Sequence, residues 1–228
     1  MYFRFMSLLI KIHKMKLEAI AFFLIFGLIN IVAFGQEEGK WKQYTSKDGE
    51  IHVSSKISNG IDEDGNKLQI VEYKSYTTTN LVSLSSCSNL LSNISMHKEI
   101  FQNTEQSETI KVISEDEWLI YYFFNPPWPV PKSDCITTFK RFISEDQKTI
   151  CFQGVATPDL FEEKEVKRMI LSDAEYEFQE IETGEIKISI HSKFSPVVSA
   201  PKFLVNAWFP NGPIKVMENI IEAAKKTD

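Results

Sequence analysis

The stretch Asp116–Asp134, DEWLIYYFFNPPWPVPKSD, narrows the folds open to this chain more than any other. Trp118 to Phe124 is an unbroken apolar and aromatic run bounded by polar residues. Such a run reads as a β-strand covered on both faces. Asn125-Pro126-Pro127 ends it, because proline has no N–H to give to a sheet ladder. Trp128 then lies between residues whose φ angles are fixed, so its ring is carried on a stiff segment. More strand patterns follow, so the Pro-Trp-Pro segment bridges two strands of a sheet.

Period-two patterning supplies the other strands. Ile51, Val53, Ser55 and Ile57 alternate with His52, Ser54 and Lys56, and Ile186, Ile188 and Ile190 alternate with Lys187, Ser189 and His191. Strands are expected at 67–77, 107–114, 116–125, 134–143, 148–156, 165–171, 175–182 and 185–194. The period changes at 80–93, where Leu81, Leu84, Cys87, Leu90 and Leu91 recur every three or four residues, predicting an amphipathic helix with Asn80 as its N-cap. A short helix carrying Trp41 is expected over 36–44. From Ala200 to about Lys226 the pattern is helical again, with Leu204, Ala207, Trp208, Met217, Ile220, Ile221 and Ala224 on one stripe. Pro210 and Gly212-Pro213 interrupt it, predicting a kink or two consecutive segments. Phe194–Pro201 is the expected hinge for movement of this helix. Runs of strands closed by a long helix indicate the α+β class.

Residues 1–16 carry Arg4, Lys11, Lys14 and Lys16, and residues 17–34 are nearly all apolar. Small residues follow at Ala33 and Gly35, the layout of a secretory signal peptide over residues 1–35. Met15-Lys16 with the apolar run already makes a complete signal, so Met15 is a second candidate start. The expectation is an exported protein, periplasmic or secreted, with one domain over 36–228. The alternative is a membrane anchor formed by uncleaved residues 17–34. Loss of the leader removes four Lys/Arg and one Glu, so the net charge goes from −6 to −9. An acidic domain is a poor partner for nucleic acid. A monomer is expected.

Cys87, Cys135 and Cys151 are few for an exported chain. If Ile143 opposes Lys148 in the hairpin, Cys135 faces Ala156 and Cys151 faces Lys140, too far apart for a disulfide; a pairing through Cys87 stays open. Catalytic motifs are scarce. His52 and His191 fall on the polar phase of their strands, and His97 has no Cys or His at metal spacing, so no metal site and no cofactor is expected. No Gly-x-Ser-x-Gly and no phosphate-cradling glycine loop occurs. No catalytic residue is assigned.

The Tyr-containing strand, Trp128-Pro129 and Asp134 together resemble the START family of lipid-transfer domains. Ser133 stands where that family has arginine, with Lys132 one residue away. Arg168 and Tyr176 stand at the family's arginine and aromatic positions, and Ser199–Asn206 is similar to the start of its last helix, with Gly212-Pro213 as a later break. The likeness spans roughly Trp41 to the C-terminus. It implies the helix-grip fold, a curved antiparallel sheet wrapped around a long C-terminal helix. It also implies a cavity between sheet and helix for a lipid or other apolar small molecule, with transient membrane contact compatible with that role. The residues expected to line it are Trp118, Tyr122, Phe124, Arg168, Trp208 and Met217. Burying seventeen Phe and seven Tyr would equally build a solid core, as an interaction module would have. Some helix-grip proteins are cyclases or hydrolases, so an enzyme is the other alternative.

Overall fold

In the computed structural model of the protein, the described residues are 39–182, 184–198 and 202–227. The expected signal peptide at 1–35 and the Ser199–Pro201 part of the last-helix motif lie outside them.

Ten strands form one sheet: β1 (Lys42–Thr45), β2 (His52–Ile61), β3 (Lys67–Thr79), β4 (Thr104–Ser114), β5 (Glu117–Phe124), β6 (Ser133–Ile143), β7 (Thr149–Ala156), β8 (Lys167–Arg168), β9 (Ser172–Glu182) and β10 (Glu185–Phe194). Their spatial order is β1-β2-β3-β10-β9-β7-β6-β5-β4, with β8 beside β6. Every pairing is antiparallel except the short β6–β8 contact. The helices are α1 (Leu84–Ser92), α2 (His97–Ile100), α3 (Lys202–Trp208) and α4 (Asn211–Ala224).

One face of the sheet carries the core. Val71 and Tyr73 on β3, Ile186, Ile188 and Ile190 on β10, and Tyr176 and Phe178 on β9 are all buried there, each set spaced by two. Val216, Met217, Ile220, Ala223 and Ala224 on α4 answer them with a helical stripe. Side-chain hydrogen bonds tie the end of the chain and α4 to the other helices. Asn219 Nδ2 donates to the Ile100 carbonyl at 3.0 Å, and Thr227 Oγ1 to that of Ser86 at 2.9 Å.

Local chemistry places the helix boundaries. α1 begins after Ser83, not Asn80, because Ser83 and Ser86 cap each other reciprocally: each hydroxyl accepts the other's backbone N–H at 3.0 Å. Leu81 stays outside the helix and is exposed. Pro210 and Gly212-Pro213 divide the C-terminal helical region into α3 and α4. Gly212 is required by close approach: a Cβ there would sit 1.8 Å from Trp208 Cε2.

Three expectations are corrected. The described part of the expected 36–44 helix, residues 39–44, is not helical; Lys42–Thr45 is a strand paired with Ser55–His52. The open edge of β2 offers a hydrogen-bond ladder, and Gly39 approaches it so closely that a Cβ would meet the Ile57 carbonyl oxygen at 2.0 Å. Trp41 lies outside any helix, with the Lys56 and Lys74 ammonium groups over its ring at 4.9 and 5.5 Å. The strand expected over 165–171 shrinks to the two residues of β8. The β6–β7 hairpin is shifted by two residues, so Ile143 faces Ile150 and Cys151 faces Phe142. Six residues, 144–149, lie between that pair where four were expected, and Gln147 among them adopts φ 58°. The three cysteines are thiols, so no disulfide joins them.

Candidate functional site

The sheet and the helices do not close on each other everywhere. Between them lies a cavity of about 610 Å³, of the size that holds a small organic ligand. Its floor is sheet: Val71 and Tyr73 of β3, Tyr122 and Phe124 of β5, Thr137 and Phe139 of β6, and Ala174 and Tyr176 of β9. Its roof is helical, with Val205 and Trp208 of α3 and Val216 of α4. Its mouth runs along the Pro126–Val130 segment and Pro196–Val198. Apolar surface dominates the lining because period-two patterning turns aliphatic and aromatic side chains inward on β3, β5 and β9. Gly154 on β7 leaves room, since a Cβ there would press on Phe139 and Thr137 at 3.2 Å. A second depression of about 780 Å³ by the start of α1 is a surface groove with Leu81 and Ile143 exposed on its rim.

The roof is held by aromatic contacts. The Trp208 ring meets Tyr73 at 5.8 Å, Phe194 at 6.0 Å and Phe209 at 4.9 Å, and its Nε1 donates to Gln102 Oε1 at 3.2 Å. Beneath it, Phe101 packs between Tyr122 and Tyr176, at 6.1 and 5.8 Å.

Among the residues expected at the site, Tyr122, Phe124 and Trp208 line the cavity. Trp118, Met217 and Arg168 do not. Trp118 lies further along β5 and packs against Phe139 at 6.4 Å. Met217 is fully buried in the core. Arg168 forms an ion pair with the fully buried Asp134. Its Nε and Nη2 reach the two carboxylate oxygens at 3.1 and 2.8 Å. Its remaining N–H groups donate to the carbonyls of Pro158, Phe161 and Glu162 at 2.7–2.9 Å. All five guanidinium donors are thereby used within the protein. Arg168 fastens the 158–162 segment and β8 to β6, and has no N–H left for a ligand.

The residues that sequence reasoning missed are Tyr73, Phe101 and His97. Tyr73 carried a signal, since Val71, Tyr73, Ser75 and Thr77 share one phase of β3. His97 carried none locally. It is fully buried, with Nδ1 2.6 Å from the Tyr122 hydroxyl and Nε2 2.9 Å from the Leu91 carbonyl. Burial pushes its pKa down to about 4, a shift that the Leu91 contact opposes. Burial drives Tyr122 and Tyr176 well above the ordinary phenol value and takes Tyr73 to about 12. The pair and the other two phenols are therefore uncharged at neutral pH. Among the described residues no group of three or more His, Cys, Asp or Glu is placed to hold a metal ion.

This arrangement of sheet and gripping helices has counterparts among solved structures. A STAR-related lipid transfer protein from Xanthomonas axonopodis superposes with a TM-score of 0.65 at 17% identity, over 81% of this chain and 98% of that one. Human StAR-related lipid transfer protein 5 gives 0.65 at 14% identity, over 92% and 94%. Human STARD10 gives 0.64 at 19% identity, over 82% and 73%. The chain has the START-like helix-grip fold. At these identities the likeness is one of fold. No family model and no curated protein matches the sequence. Within the helix grip of this chain, the cavity lies where the gripped helical layer stands away from the sheet.

Proposed function

We propose that the protein binds a lipid or other apolar small molecule non-covalently in the cavity under α3 and α4, as a carrier or sensor and not as a catalyst. The carrying observation is the cavity of about 610 Å³ floored by sheet residues and roofed by Trp208. An apolar ligand seated against that mainly apolar lining removes apolar surface from water, which favours its binding. The fold shared with lipid-transfer domains supports the same reading. Trp128, 92% exposed at the cavity's mouth, suits a transient contact with a membrane surface.

A catalytic reading is less well supported by the one titratable pair at the cavity. His97, at about 4, and Tyr122, well above 10, are both displaced from neutral pH by burial. A general acid or base works best with a pKa near the working pH.

The proposal includes export, with the mature chain beginning near Gln36 as a monomer. Native mass spectrometry of protein recovered from outside the cytoplasm tests these parts together. The expected mass is that of one chain starting near Gln36 plus a co-purified lipid. A ligand-free protein that also takes up no added lipid would falsify carriage, and an intact leader in the membrane fraction would overturn export.

A further inference from the structure

Three buried tyrosines, Tyr73, Tyr122 and Tyr176, stand on the cavity wall, and the hydrogen-bonding role of one of them is fixed by its neighbour. His97 Nε2 lies 2.9 Å from the Leu91 carbonyl oxygen. A carbonyl only accepts, so Nε2 carries the hydrogen. The ring sits in a fully buried aromatic nest, with Phe101 and Phe139 edge-on at 5.5 and 5.3 Å, where a charged imidazolium is disfavoured. The neutral ring then presents a lone pair at Nδ1. That atom is 2.6 Å from Tyr122 Oη, and the hydrogen between them is the phenolic one. Tyr122 donates to His97. A phenol has one hydrogen, so Tyr122 Oη can only accept any further bond.

From this we infer that the cavity selects lipids whose polar group is a hydrogen-bond donor, an alcohol in the simplest case, with the ligand O–H donating to Tyr122 Oη. The inference rests on the lipid-binding reading above and adds to it the chemistry of the polar group. An ether or aldehyde of the same chain length brings a second acceptor to an oxygen that has no hydrogen to give. Its hydrophobic contacts are the same, so the two ligand types separate on this one bond. A buried hydrogen bond of this kind is worth about a factor of ten in affinity. Tyr122 is thereby a specificity-determining residue, and His97 a positioning residue that sets which way the phenolic hydrogen points.

The test compares dodecanol, its methyl ether and dodecanal as competitors of an anilinonaphthalene sulfonate reporter bound to the full-length protein. Dodecanol should displace the reporter at about tenfold lower concentration than the ether or the aldehyde. Equal potency of the three in the native protein overturns the inference while leaving lipid binding intact. Failure of all three to displace the reporter, with no lipid retained in the native mass spectrum, overturns the lipid-binding reading and the inference with it. In Tyr122→Phe the preference for dodecanol should fall to within about twofold, with the ether's own potency kept as evidence that the cavity is intact. A preference that survives in that variant moves recognition to another group and overturns the role given to Tyr122. Should Tyr122→Phe not fold, the ranking in the native protein decides alone.

Discussion

Arg168 shows how a residue expected to touch a ligand can be consumed by the fold. Its five donors are spent on Asp134 and three carbonyls, and Asp134 is fully buried. Arg168→Met leaves that carboxylate without its countercharge, which should destabilise the protein by about 3–5 kcal/mol in urea unfolding. The cavity-lining residues are untouched, so lipid affinity of the folded fraction should stay as it was. A change in affinity larger than the change in stability would put Arg168 back at the ligand. His97 makes a second residue-scale prediction. Its folded pKa of about 4 lies below the unfolded 6.5, so between those values the unfolded chain binds the extra proton. Stability is therefore complete above about pH 6.5 and falls as the pH drops toward 4, by about 3 kcal/mol. Glu72, held down to about 2 first by its hydrogen bond from His191, adds a later loss as the pH falls from 4.5 toward 2. Urea midpoints measured across both windows should show the earlier step disappear in His97→Gln while the later one persists. A single step below pH 4.5 in the native protein would contradict the burial argument.

Elements were legible in the sequence where one physical signal dominated. The alternating isoleucines of β10 and the aromatic run of β5 carry their own strand signal, and both stand as expected. Elements decided by partners were not legible. β1 is a strand because the β2 edge is there to pair with, which no local pattern at 36–44 reveals. The α1 start turned on two serines that cap each other, against an asparagine that has the right chemistry one turn too early. The cavity was half legible for the same reason. Tyr122, Phe124 and Trp208 came with the family resemblance, as did Trp118, which shares the phase of Tyr122 and Phe124 and lies elsewhere, whereas the His97–Tyr122 bond joins α2 to β5 across residues with no shared period. The α3–α4 junction carries the prediction at this scale. Gly212→Ala improves local helix propensity by up to about 1 kcal/mol, yet its Cβ would overlap the Trp208 indole at 1.8 Å. The indole must shift, and with it the cavity roof. Net destabilisation of about 1–3 kcal/mol is expected, together with weaker displacement of a fluorescent lipid reporter. Unchanged stability and reporter binding would mean that Trp208 has another place to go.

The sheet is joined by the pairing whose two strands, β3 and β10, lie furthest apart in sequence. Ile186 faces Thr79 and Phe194 faces Val71, so β3 finds its second neighbour more than a hundred residues later. The sheet is continuous only through that pairing, since β1-β2-β3 reach the remaining strands through β10. A chain ending at Gly184 should therefore give two unpaired edges and no gripped helix, and should aggregate in sedimentation where the full chain stays dispersed. A dispersed, cooperatively melting fragment would contradict this. In a living cell the same strand order acts as a clock. At 5–20 residues per second, β3 waits roughly 5–20 s for β10 to be synthesised. During that interval its edge is open to any passing strand, and pairing that spans so much chain is slow even once both partners exist. Protection of the newborn chain thus falls to whatever receives it from the ribosome, a chaperone or a translocation channel, because its own sheet comes too late.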